Sequence, residues 1–143
     1  MPDTVLQVDY FYVQVADKPG AAFQILTQLK QAGVSLLACC GFPLQGGKAQ
    51  LDLVPEHPDG FVKAAKKLEL KLSGRKKALL IQGEDRVGAV ADTFGKLAGQ
   101  KISVVASQAV CAGSRRWAMI LWVKPADYER ASRALRDQGR PIV

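Results

Sequence analysis

An internal repeat constrains this 143-residue chain more than any other feature. Residues 10–38 align without a gap on residues 78–106. Seven of the 29 aligned positions are identical, and the pattern of apolar and turn residues recurs in step with them. A period of this length indicates two copies of one supersecondary unit. We therefore expect two tandem domains, at residues 1–73 and 74–143.

The first copy has the pattern of a complete βαββαβ unit. Aromatic and β-branched residues over Tyr10–Val15 predict a strand, and apolar residues at three- and four-residue spacing predict a helix over Ala21–Gln31. The Gln45-Gly46-Gly47 segment is typical of a hairpin turn. The remaining predicted elements are two strands, a helix capped by Asp59 and a short last strand, over residues 34–42, 49–54, 59–68 and 70–72.

The second copy repeats these elements but is shorter at its end. Strands and helices are predicted over residues 77–82, 89–98, 102–111 and 116–123, with a turn at Gly113-Ser114 and a last helix beginning at Pro125 or Ala126. Only Pro141–Val143 remains for a last strand, and Val5–Val8 is an alternative that the sequence leaves open. The expected fold class is α+β, with two ferredoxin-like units in tandem. Each would have a four-stranded antiparallel sheet with both helices on one face.

The loop between the first strand and the first helix carries the functional signal of each copy. In the first copy it reads Asp17-Lys18-Pro19-Gly20-Ala21-Ala22, and in the second Asp85-Arg86-Val87-Gly88, without the proline. A glycine at a helix start lets a ligand approach the backbone, and the free N–H groups there favour a carboxylate. The aspartate can accept hydrogen bonds from an ammonium group. The same residue types also form an ordinary turn and helix cap without any ligand.

This strand–turn–helix pattern, repeated in tandem over about residues 8–136, resembles the ACT domains, which are small amino-acid-sensing modules. The resemblance implies that paired domains bind a small amino acid at their interface, beside the loop after the first strand. The ligand-binding residues that it implies are Asp17, Lys18, Pro19, Gly20, Ala21, Ala22, Asp85, Arg86, Val87 and Gly88. ACT modules usually regulate an enzyme or a DNA-binding domain. We recognise neither in this sequence, so the regulated enzyme or transcription factor would be another chain, or the signal would pass through the protein's own oligomer.

Nucleic-acid binding is the main alternative that the charge suggests. The net charge is +7, and basic residues crowd residues 63–77. The ferredoxin-like topology binds RNA in other proteins through aromatic residues on the sheet. No aromatic residue is interleaved with these basic residues, and Arg116-Trp117-Ala118-Met119 is only faintly similar to an RNA-binding strand. We therefore do not expect a nucleic-acid partner, and an RNA-binding or purely protein-binding module remains the alternative.

The remaining composition predicts a regulatory protein rather than an enzyme. The chain has one histidine, His57, and no phosphate-binding glycine motif, so we expect no catalytic site and no cofactor. Its three cysteines, Cys39, Cys40 and Cys111, are too few and badly spaced for a disulfide framework or a metal site, so we expect free thiols. No apolar run approaches the ~20 residues that span a membrane, and the first residues do not resemble a signal peptide. The expected location is the cytoplasm.

The second strand of each copy is unusually apolar for its expected place. The ferredoxin-like order puts Leu36–Cys40 and Val104–Ala106 at sheet edges. Exposed apolar edges invite pairing with another strand. We therefore expect the two units, or two chains, to join through these strands, which gives at least a homodimer.

Overall fold

The computed structural model describes residues 3–136, so the strand expected at Pro141–Val143 lies outside the described residues. None of the helices within residues 3–136 is long and apolar enough to cross a membrane. The elements are β1 (Thr4–Ala16), α1 (Ala21–Gln31), β2 (Leu36–Pro43), β3 (Lys48–Pro55), α2 (Pro58–Lys67), β4 (Lys76–Glu84), α3 (Ala89–Gly99), β5 (Val104–Cys111), β6 (Arg116–Val123), a 3-10 turn (Pro125–Asp127) and α4 (Tyr128–Arg136).

The described residues form two compact units. Residues 9–76 are the first unit, and residues 77–136 together with residues 3–8 are the second. The boundary between the two units therefore falls between Lys76 and Lys77. The sequence predicted it a few residues earlier, between residues 73 and 74. The start of the chain, including the first part of β1, also belongs to the second unit. Whether each unit folds as an independent domain stays a prediction.

The repeat extends further in the structure than in the aligned sequence. The helix and strands α3, β5 and β6 begin and end at positions equivalent to those of α1, β2 and β3. The offset between the two sets is the one that aligns residues 10–38 with residues 78–106. The hairpins agree as well: the second turn begins at Gly113, whose carbonyl oxygen accepts the N–H of Arg116 at 3.0 Å, and it includes the predicted Gly113-Ser114. There the two non-glycine residues with left-handed backbone between β5 and β6 are Ser114 and Arg115, at φ 52° and 57°. Each element of the second unit can thus be compared with its counterpart in the first.

The first unit has an antiparallel sheet in the order β2–β3–β1, covered by α1 and α2. The register places Phe11 opposite Leu53 and Val13 opposite Leu51, and these alternate residues form the core. From α2, Phe61 packs on Phe11 with 5.2 Å between the ring centroids. The core side chains of this unit are Phe11, Val13, Leu29, Leu51, Leu53 and Phe61.

Two details of the first unit differ from expectation. The cap of α2 is His57 rather than Asp59, because Pro58 takes the first helical position and Asp59 then falls within the first turn. Residues 70–72 do not form a regular strand, although Leu70 and Leu72 pack on the core.

Ser73, which follows these residues, makes two hydrogen bonds with Tyr12 of β1. Its N–H donates to the carbonyl oxygen of Tyr12 at 2.9 Å, and its Oγ accepts the N–H of Tyr12 at 2.9 Å. A side-chain oxygen therefore takes the place of a backbone carbonyl in the ladder. Among the described residues this unit has three strands, and not the four that we expected.

The second unit includes the start of the chain. Its strands are ordered β5–β6–β4, and β1, whose first residues belong to this unit, is the next neighbour of β4. Val5 packs on the unit's core, and Asp3 lies against Gly83 of β4. The buried Tyr128 of α4 donates from its hydroxyl to the carbonyl oxygen of Ala78 at 2.9 Å. The α+β class is confirmed, and Val5–Val8 belongs to the second unit, while completion of that unit's sheet by this segment stays a prediction.

The edges of the two sheets carry exposed apolar side chains. β2 and β5 are end strands, with no strand on their outer sides within residues 3–136. Val105 is 62% exposed and Val110 is 64% exposed, and Leu37 and Phe42 of β2 are also exposed. The structure thus places both second strands at edges, as expected, and leaves them without cover in the single chain. Pairing with a second chain stays a prediction.

Candidate functional site

The start of α1 has backbone donors without a side-chain cap, although the N–H of Ala21 donates to the carbonyl oxygen of Lys18 at 3.3 Å. Its cap, Gly20, has left-handed backbone at φ 89°, and no side chain caps the helix. The first turn contains no acidic residue. Since the first N–H groups of a helix have no intrahelical acceptor and lie at its positive end, this terminus can receive an anion. Gly20 is required by its backbone angle: a Cβ there would meet no atom within 4 Å but would be strained.

The loop before α1 is fixed to the hairpin that joins β2 and β3. The N–H of Asp17 donates to the carbonyl oxygen of Gly47 at 2.9 Å, and the N–H of Lys18 donates to that of Ala16 at 2.9 Å. These bonds hold the exposed Asp17 and Lys18 side chains beside the first turn of α1. An acidic and a basic residue therefore precede the helix start in a fixed loop.

An open depression of about 260 Å³ lies at this place in the first unit. Of the residues predicted to bind a ligand, Asp17, Lys18 and Ala22 line it, whereas Pro19, Gly20 and Ala21 do not. The last three shape the turn and the helix start instead. The remaining lining residues come from the three strands: Val15, Ala16, Gly41, Phe42, Pro43, Ala49 and Leu51.

The second unit has a depression of about 270 Å³ at the matching place. The predicted residues Asp85, Arg86 and Gly88 line it, but Val87 does not and its side chain is fully exposed. The N–H of Asp85 donates to the carbonyl oxygen of Arg115 at 2.7 Å, the counterpart of the bond from Asp17. Its other lining residues are Ala89, Val90, Ala91, Ala109, Val110, Cys111 and Trp117.

Sequence reasoning missed the walls that the hairpins contribute. Gly41, Phe42 and Pro43 correspond, at the offset of the repeat, to Ala109, Val110 and Cys111, and each triplet closes one side of its depression. These positions share no residue type, so the identities could not reveal them. Extending the same alignment past residue 38 would have paired them.

The two depressions differ in charge. In the first, Lys18 lies beside a helix terminus without acidic residues in its first turn. In the second, the Arg86 guanidinium contacts Asp3 and Asp92, and hydrogen bonding to Asp3 raises the pKa of Arg86 above its ordinary value. The Cys111 thiol bonds to the Asp85 carboxylate, which raises the pKa of Cys111. The cation of the second depression is therefore already engaged by carboxylates of the protein itself.

A separate group of titratable side chains surrounds Asp52 on β3. Burial raises the pKa of Asp52, against a hydrogen bond from Gln50 Nε2 at 2.9 Å and the charge of Lys76, which lower it. The pKa values of Cys39 and Cys40 are raised by burial and, to a smaller extent, by Asp52. No group of three His, Cys, Asp or Glu side chains within the described chain could hold a metal ion. The three cysteines are free.

Trp117 does not support RNA binding. Its side chain is 3% exposed and packs in the core of the second unit. A base cannot stack on an aromatic ring in that position.

No protein-family model matches the sequence, and no curated protein matches it significantly. Solved structures do share its fold. A protein from Bacteroides thetaiotaomicron matches with a TM-score of 0.79 at 16% identity, over 94% of this chain and 90% of that one. The ligand-free regulatory subunit of aspartate kinase from Thermus thermophilus matches with a TM-score of 0.66 at 15% identity, over 98% of each chain. The regulatory subunit of aspartate kinase from Thermus flavus matches with a TM-score of 0.60 at 15% identity, over 94% and 95%. At these identities the likeness establishes the fold, which supports the ACT-type fold expected from the repeat.

Proposed function

We propose that this protein is a regulatory amino-acid sensor, and that its first unit binds a small amino acid in the depression at the start of α1. The observation that carries the proposal is the composition of that depression. Asp17 and Lys18 line it next to Ala22 of the first turn of α1, a helix with no side-chain cap, and Phe42 and Leu51 add apolar surface. An amino acid presents a carboxylate, an ammonium group and a side chain, and this depression offers a partner for each.

The chemistry of the depression suggests one orientation for the ligand. Its carboxylate would accept bonds from the first-turn N–H groups of α1, with Lys18 nearby. Its ammonium group would donate to the Asp17 carboxylate. A small side chain would then lie toward Ala49 and Leu51.

The regulated partner would be a separate enzyme in the cytoplasm, in keeping with free thiols. Two of the similar structures are regulatory subunits of aspartate kinase, which are chains of about the same extent as this one. A transcription factor is the other partner class that the sequence suggests. In this proposal the protein acts by binding and not by catalysis.

A homodimer joined through the edge strands would place the ligand at an interface. Phe42 lies on β2 and Val110 on β5, and each of them also lines a depression. A second chain paired along β2 would therefore border the ligand of the first unit, and one paired along β5 would border the second depression. Binding would then be coupled to assembly, which is one way for such a protein to signal.

A thermal-shift screen of the twenty amino acids at millimolar concentration tests this function. A ligand at about 100 times its dissociation constant stabilises the folded state by about 2.7 kcal/mol. For units of this size we expect the melting temperature to rise by roughly 10 °C or more. If no amino acid shifts the melting temperature, the protein is better described as a protein-binding module. The exposed Phe23 and Val87, beside the two helix starts, would then be its first candidate contacts.

A further inference from the structure

The carboxylate of Asp3 is held by two side chains that line the depression of the second unit. Arg86 Nη1 and Nη2 donate to Asp3 Oδ1 and Oδ2, each at 3.1 Å, and Trp117 Nε1 donates to Asp3 Oδ1 at 3.3 Å. This is the paired geometry in which arginine binds a free carboxylate. The Asp3 side chain is only 9% exposed, whereas that of Arg86 is 39% exposed.

Further contacts hold Arg86 in this orientation. Its guanidinium lies 5.9 Å from the ring centroid of Trp117, and Trp117 is itself fixed in the core. Arg86 Nη2 also donates to Asp92 at 3.5 Å, and Nη1 to the carbonyl oxygen of Glu84 at 3.5 Å. The side chain is therefore positioned by its surroundings and does not depend on Asp3 alone.

Gly83 makes the close approach of Asp3 possible. A Cβ built on Gly83 would collide with Asp3 Oδ1 and would come within 3.0 Å of Trp117 Nε1. At the equivalent positions of the repeat, the first unit has Val15, Lys18 and Ala49 in place of Gly83, Arg86 and Trp117. That set has neither the planar guanidinium nor the indole donor. The arrangement around Asp3 thus distinguishes the second depression from the first.

We propose that Asp3 is an internal competitor for a small carboxylate at the second depression. Its carboxylate occupies the Arg86 guanidinium and the Trp117 indole N–H, and a carboxylate ligand binds there when Asp3 is displaced. The identity of the natural ligand as an amino acid rests on the proposed function; the competition itself does not. While Asp3, the residue before β1, is bound to Arg86, the depression of the second unit is accordingly closed to anions. The depression of the first unit is open to them.

Acetate provides a direct probe of this competition. The chain has two tryptophans, so the indole N–H region of a ¹H–¹⁵N spectrum contains two signals, and through-bond assignment identifies that of Trp117. Sodium acetate is titrated against sodium chloride at equal ionic strength, into the parent protein, Asp3→Ala and Asp3→Asn. We expect the Trp117 signal to respond in both variants with a dissociation constant about tenfold lower than in the parent, which corresponds to about 1.4 kcal/mol.

Gly83→Ala tests the same competition without changing Asp3. The added Cβ should push the Asp3 carboxylate away from Arg86, so this variant should bind acetate as Asp3→Ala does. Arg86→Gln, combined with Asp3→Asn, should remove the response. The proposal is wrong if acetate moves the Trp117 signal equally in the parent and in the folded variants, or in none of them.

The dispersion of each amide spectrum shows which variants are folded. A single folded variant among Asp3→Ala, Asp3→Asn and Gly83→Ala is enough to decide whether Asp3 competes with acetate. This readout is separate from amino-acid binding by the first unit. A protein that fails the amino-acid screen can still show the acetate response, and the reverse also holds.

Discussion

Gly47 and Arg115 perform the same task in the two units: the carbonyl oxygen of each accepts the backbone N–H of an aspartate, from Asp17 at 2.9 Å and from Asp85 at 2.7 Å. Both residues have left-handed backbone, at φ 73° and 57°. The bond therefore fixes the loop before each helix to its hairpin through a turn whose backbone suits glycine. Only the first unit has a glycine there.

Replacing Arg115 by glycine should stabilise the protein. A left-handed residue with a Cβ costs roughly 1–2 kcal/mol. A glycine loses roughly 0.5–1 kcal/mol more chain entropy on folding. We expect Arg115→Gly to raise the free energy of unfolding by about 0.5–1 kcal/mol, and Gly47→Arg to lower it by a similar amount. Urea denaturation measures both. Arg115→Ala, which keeps a Cβ, is the control; an equal gain in that variant would refute the backbone explanation.

Asp52→Asn should stabilise the protein at neutral pH. Burial raises the pKa of Asp52 in the folded state, so the folded protein binds a proton more readily than the unfolded chain does. Stability contributed by this group is then fully present at acidic pH and is lost as the pH rises through the folded-state pKa. The asparagine can still accept the bond from Gln50.

The advantage of Asp52→Asn should shrink on acidification and vanish below the unfolded pKa of about 3.9. Urea denaturation as a function of pH measures it, with the exposed Glu56→Gln as the control. A variant that is less stable than the parent at neutral pH would contradict this prediction.

Asp85→Asn should make Cys111 more reactive. The bond to the Asp85 carboxylate favours the protonated thiol and raises its pKa. Removing the charge lowers the pKa and increases the thiolate fraction, which is the reactive form. We expect faster alkylation of Cys111 by iodoacetamide at about pH 8, followed by peptide mass spectrometry. The rate for the exposed Cys39 should stay the same; a parallel increase at both cysteines would indicate general loosening instead.

Val105→Lys should separate the dimer if β5 is the pairing edge. A lysine on an edge strand opposes pairing with another strand, because its charge would be buried there. Light scattering should show a dimer for the parent and a monomer for the variant at the same concentration. Ala98→Lys adds the same charge to an exposed position of α3 and should leave the dimer intact. A monomeric parent would show that the apolar edges have another role.

The sequence predicted those features that local chemistry decides. The bounds of α1 and β6 follow from apolar periodicity and alternation. It could not predict the bonds that Ser73 makes with Tyr12, because one of them depends on a side chain. Nor could it place Asp3 beside Arg86, which is distant in the sequence, since the pairing requires the folded sheet.

The walls of the depressions illustrate the same limit. Phe42 and Val110 hold equivalent places without sharing a residue type, so only their position in the hairpin relates them. Asp17 and Asp85, in contrast, could be identified at once because the turn before each helix preserves them. Residues that shape the backbone are therefore visible in this sequence, and residues that merely face a cavity are not.

Titration calorimetry with the amino acid found in the screen tests the central claim most directly. A charged hydrogen bond contributes about 1.5–3 kcal/mol. Asp17→Ala should therefore weaken binding roughly 10- to 100-fold. Glu56→Ala, which removes an acidic side chain of the same unit outside the depression, should bind like the parent. If Asp17→Ala binds the amino acid as tightly as the parent, the ligand does not lie beside Asp17 and the site in the first unit is wrong.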